Sequence, residues 1–179
     1  IEGYKENNDA GQEFKLEKVN KIEEGTYKIS LANSSSQTIT VANGKKENGA
    51  NIEIRKDANR GYQQFKIKYT DQGYVEIIGF NSGKMLDVCG WGNGTNVAQW
   101  SENKVSDSQK WIIKKNSNGT YNIISQRQHL YLTAHNSNFA DGTNIEVYEK
   151  NNSNGQEFKI EKVVEEKIEA KRTIEDGVY

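Results

Sequence analysis

Short runs of alternating apolar and polar residues recur along the chain, joined by segments rich in Gly, Asn and Ser. Gly25-Thr26-Tyr27-Lys28-Ile29, Gly73-Tyr74-Val75-Glu76-Ile77 and Gly119-Thr120-Tyr121-Asn122-Ile123 each open such a run, at spacings of 48 and 46 residues. A period of two, with β-branched and aromatic residues on the apolar beats, marks half-buried strands rather than helices. After the second opening the pattern predicts four strands: Tyr74–Phe80, Lys84–Val88, Thr95–Ser101 and Lys110–Lys114. The chain has no proline, so none of these strands is broken by one.

Two further phrases repeat at the same interval. Gly49-Ala50-Asn51-Ile52-Glu53-Ile54, Gly94-Thr95-Asn96-Val97-Ala98-Gln99 and Gly142-Thr143-Asn144-Ile145-Glu146-Val147 are three copies of one. Gln63-Gln64-Phe65, Gln109-Lys110-Trp111 and Gln156-Glu157-Phe158 are three copies of the other, 46 and 47 residues apart. Repetition at this period sets the architecture. Three four-stranded units with no helix between them predict an all-β fold, a closed barrel capped by hairpins. Phe65, Trp111 and Phe158 are expected to fill the core. Asn51, Asn96 and Asn144 are expected to lock turns through their own backbone.

The repeats also divide the chain. Residues 20–163 read as one complete three-unit domain, with repeats at about 25–70, 71–117 and 118–163. Residues 1–19 match Ile145 through Val163 and read as the end of a preceding domain. Residues 173–179 resemble the segment from Lys21 to Tyr27 and read as the start of a following one, after a charged linker at 164–172.

Composition narrows the chemistry. The net charge of −1 gives no electrostatic ground for nucleic-acid binding. No apolar run approaches the roughly 20 residues of a membrane span. Cys89 is the sole cysteine, which excludes an intrachain disulfide. No catalytic His-Asp-Ser order, metal-ligand spacing or phosphate loop is present, so neither a cofactor nor a metal is expected. His129 and His135 share one loop region without paired carboxylates and are expected to face solvent. A glycosidase needs two opposed carboxylates. Asp87 and Asp107 imitate such a pair, but catalytic residues are not expected.

Units of about 46 residues, each ending in Gln-x-Trp or Gln-x-Phe, resemble the ricin B-type lectin family. The resemblance implies a β-trefoil with pseudo-three-fold symmetry, flanked here by partial repeats of neighbouring trefoils. It implies binding of galactose-type or related sugars. The disulfides of plant members are missing, and the Asn/Lys-rich style looks like bacterial modules of secreted toxins and glycan-degrading enzymes. The implied setting is a secreted, extracellular protein.

In that family an Asp on the second strand supplies a carboxylate, an aromatic at the end of the third strand supplies a stacking platform, and polar groups near the Gln complete the site. The second unit keeps most of this: Asp87 in Met85-Leu86-Asp87-Val88, Trp100 as platform, and Asn103, Asp107 and Gln109 in the following loop. Trp91, in a glycine-rich loop, is a candidate second wall. Ser108 and Ala98 depart from the Asn and Gln usual at their places. The third unit has Thr133 at the Asp position and Tyr148 at the platform, with Gln156, and makes at most a weak second site, with His135 and Asn136 as neighbours. The first unit, with Thr40 and Arg55 at these positions, predicts no site. The implied partners are glycans on a cell surface or polysaccharide, together with the neighbouring trefoils. The competing reading is a trefoil that binds no sugar and serves as a protein-interaction adaptor or spacer.

Overall fold

The structure, a computed structural model, describes residues 21–164. Its twelve strands fall into three groups of four. The first is β1 (Gly25–Leu31), β2 (Ser34–Val41), β3 (Ala50–Lys56) and β4 (Phe65–Tyr69). The second is β5 (Val75–Gly79), β6 (Met85–Val88), β7 (Thr95–Trp100) and β8 (Trp111–Lys115). The third is β9 (Tyr121–Ser125), β10 (Tyr131–Ala134), β11 (Ile145–Tyr148) and β12 (Phe158–Lys162). In the second group each strand end lies within a residue of the bound expected from the alternation. The partial repeat at 1–19, the linker beyond Val164 and the segment 173–179 lie outside the described residues.

Six strands close on themselves. β1 pairs with β4, β4 with β5, β5 with β8, β8 with β9, β9 with β12, and β12 back with β1, all antiparallel. Closure removes exposed sheet edges. The other six form the hairpins β2–β3, β6–β7 and β10–β11. These meet one another, β3 with β7, β7 with β11, and Glu53 with Asn144, to make a cap.

Phe65, Trp111 and Phe158 begin β4, β8 and β12 and have no exposed surface. Each ring fills the same place in its own group, as the repeat spacing predicts. Truncating such a ring to Ala typically costs about 3–5 kcal/mol, because transfer energy is lost and a cavity remains. Trp111 also donates from Nε1 to Leu86 O at 3.1 Å, which ties the barrel to the second hairpin.

The Gly-x-Asn phrase does more than the turn chemistry expected of it. Asn51 Nδ2 donates to Asn144 Oδ1 at 2.9 Å, Asn144 Nδ2 to Asn96 Oδ1 at 2.9 Å, and Asn96 Nδ2 to Asn51 Oδ1 at 3.0 Å. The three amides form a closed ring across the three repeats. Each bond crosses to a different repeat, so the expectation of locally locked turns is corrected. The glycines of the phrase close a second cycle: Gly49 N to Gln99 O, Gly94 N to Val147 O and Gly142 N to Ile54 O, at 2.9, 2.9 and 2.8 Å. Their φ values of 79°, 77° and 85° lie where an L side chain is strained, which is why glycine holds this corner.

Candidate functional site

Strand alternation sets the second-repeat site. Leu86 and Val88 are buried, so Asp87 between them turns to the outer face of the cap. Gln109 Nε2 donates to Asp87 Oδ2 at 2.7 Å and to Ser101 O at 3.0 Å, while its Oε1 accepts from Asn103 N at 2.8 Å. A buried amide thus holds both the carboxylate and the loop after β7. Oδ1 of Asp87 has no hydrogen-bond partner among the described residues. Ala98 faces Asp87 across the hairpin and offers only a methyl. Trp100 ends β7 with 42% of its surface exposed. Cys89 follows β6, with its Sγ 3.7 Å from Asp87 O. Burial pushes its thiol up, and the nearby Asp87 charge adds to this.

The remaining expected members scatter. Asn103 acts through its backbone, and its Oδ1 accepts from Val105 N at 3.3 Å in a local turn. Asp107 is exposed and accepts from Lys110 Nζ at 3.0 Å; no hydrogen bond links it to Asp87 or Gln109. Trp91 is 70% exposed, and the Arg127 guanidinium lies 4.0 Å from its ring centroid. The structure therefore brings Asp87, Gln109 and Asn103 N into one hydrogen-bonded unit beside Trp100.

The other hairpins hold a carboxylate that the repeat comparison passed over. Thr133 faces Glu146, and Thr40 faces Glu53, across their strand pairs. Where β6 carries Asp and β7 carries Ala, β10 and β2 carry Thr and their partners carry Glu. The Gln contacts are otherwise the same. Gln156 Nε2 donates to Thr133 Oγ1 at 3.1 Å and Glu149 O at 2.8 Å. Gln63 Nε2 donates to Thr40 Oγ1 at 3.2 Å and Lys56 O at 2.9 Å. The signal was present in the repeated phrase, where Glu53 and Glu146 stand in the place of Ala98.

These two Glu residues differ in what covers them. Glu53 Oε1 accepts from Arg55 Nε at 2.7 Å, so a side chain of the same repeat neutralises it. Glu146 Oε2 lies 2.9 Å from His135 Nδ1. This corrects the expectation that His135 has no carboxylate partner. Thr133, His135, Glu146, Tyr148, Asn151 and Gly94 line a cavity of about 590 Å³.

The model of the ricin-type beta-trefoil lectin domain-like family matches residues 10–100 and 107–173. The chain belongs to this family. Solved structures agree on the fold. The designed three-fold symmetric protein ThreeFoil is 26% identical with a TM-score of 0.74, over 78% of this chain and 99% of its own. A mosquitocidal holotoxin is 23% identical with a TM-score of 0.73, over 82% of this chain but only 18% of the toxin's. The Macrolepiota procera ricin B-like lectin, solved in complex with lactose, is 16% identical with a TM-score of 0.69, over 80% of this chain and 100% of its own. No curated protein matches this chain in sequence. Among the described residues of this lectin-like domain, no helix is long and apolar enough to cross a membrane.

Proposed function

We propose that the domain binds glycans reversibly, with its main site in the second repeat and no covalent chemistry. The observation that carries this reading is the state of Asp87. One carboxylate oxygen is held by the buried Gln109, and the other is unpartnered beside an exposed indole. A pyranose presents an apolar C–H face and directional hydroxyls. Trp100 stacks on the face, and Asp87 Oδ1 accepts a hydroxyl in a charge-assisted hydrogen bond. Galactose-type sugars are the first class to test, given the lactose in the Macrolepiota procera structure.

The third repeat is a second candidate, favoured by Glu146, which restores a carboxylate across the hairpin from Thr133. Thr133, Tyr148 and Gln156 then serve as support, platform and tie. A role in carrying a larger secreted protein to a glycan-coated surface fits the likeness to part of a holotoxin. Neighbouring trefoils would strengthen such attachment through effective concentration.

Titration calorimetry with galactosides, preceded by a glycan array, tests the proposal. Asp87→Ala and Trp100→Ala are each expected to weaken binding about tenfold to a hundredfold while the fold persists. Unchanged affinity in both variants overturns the second-repeat assignment. A complete lack of glycan binding, together with a stable complex with a protein partner, favours the adaptor reading.

A further inference from the structure

Trp91 is costly to explain as packing. It sits in the loop Cys89–Gly94, which contains three glycines, and 70% of its surface is exposed. Yet this loop is held in place from another repeat. Gln128, on the turn between β9 and β10, donates from Nε2 to Gly90 O at 3.1 Å and accepts Gly92 N–H at its Oε1. The two bonds bracket Trp91. Arg127, the residue before, lies over the indole at 4.0 Å. Stacking covers the flat face of a guanidinium and leaves its N–H edge free. Among the described residues that edge has neither a hydrogen bond nor an ion pair.

A fixed, unpaired guanidinium fork matches the paired oxygens of a carboxylate or sulfate. The stack lies close to the glycan site proposed above. Trp91 stands four positions after Asp87, so their Cα atoms are at most about 14 Å apart. An anion cannot take the place of the sugar held by Asp87, because two negative charges would meet there. It can sit one residue further along.

Building on that proposed site, we infer that Trp91 and Arg127 form an extension of it that selects glycans with an anionic sugar. A neutral residue rests on Trp100 and Asp87. The neighbouring residue packs on the Trp91 loop and presents its carboxylate or sulfate to Arg127.

The test compares matched oligosaccharides by calorimetry: a neutral galactoside, its sialylated form, its uronate-bearing form and its sulfated form. Wild-type protein is expected to bind at least one anionic form about tenfold tighter than the neutral one. That advantage should shrink as NaCl rises from about 0.05 to 0.5 M. Arg127→Gln should abolish the advantage and leave neutral affinity unchanged. Arg127→Lys keeps the charge without the fork and should retain only part of it. Asp87→Ala should weaken neutral and anionic ligands alike. Circular dichroism confirms that each variant is folded. No anionic preference in the wild type, or a preference that survives Arg127→Gln, overturns the inference while leaving the neutral site standing. If the neutral sugar itself fails to bind, the underlying site falls, and the extension with it.

Discussion

At the scale of single residues, three buried glutamines do the same mechanical work with different consequences. Gln63, Gln109 and Gln156 each donate to the second strand of their repeat and to a carbonyl at or just after the end of the third. Only Gln109 donates to a carboxylate. Replacing a buried amide leaves its former partners unsatisfied, at about 1–3 kcal/mol. Gln63→Ala and Gln109→Ala are therefore expected to lose similar stability in urea melts. Galactoside affinity should fall in Gln109→Ala, where Asp87 is released, and hold in Gln63→Ala. Equal affinities in the two variants would sever Gln109 from Asp87 function. Asp87, Trp100 and Gln109 were legible in the sequence because aligned repeats isolate them by position. The Glu146 carboxylate, its contact with His135, and Arg127 were not. These contacts depend on which residue stands opposite across a hairpin, or on a meeting of two repeats, and neither follows from spacing along one repeat.

At the scale of elements, period-two alternation placed the strands of the second repeat within one residue of their ends, because each strand buries one face and sequence shows faces directly. The cap was less readable. Asn51, Asn96 and Asn144 look like turn residues in each copy, since Asn has a strong local preference for turns. The structure uses them at long range instead, as a ring whose members come from β3, β7 and the entry to β11. Removing one Asn breaks two ring bonds and strands one donor and one acceptor. Each single Ala variant is thus expected to cost about 1–3 kcal/mol in denaturant melts. The triple variant should cost less than the sum of the three, because the first loss already opens the ring. Additive costs would mean that the three bonds act independently.

At the scale of the whole molecule, no repeat buries its own core. The barrel closes only when β12 returns to β1, pairing Tyr27 with Lys162 through Leu31 with Phe158. The Asn ring and the glycine N–H bonds are shared equally among the repeats. This differs from a stacked repeat array, in which units contact only their neighbours and ends can unravel. Closure predicts a single cooperative transition, and the chain provides its own probe of it. All three tryptophans, Trp91, Trp100 and Trp111, lie in the second repeat. Fluorescence therefore reports the second repeat alone, whereas far-ultraviolet circular dichroism reports all three. In urea the two signals are expected to share one midpoint and one slope. A fluorescence midpoint apart from the dichroism midpoint would mean that the second repeat opens on its own. The site on its hairpin would then be held by local contacts such as Gln109 to Asp87, and not by closure of the barrel.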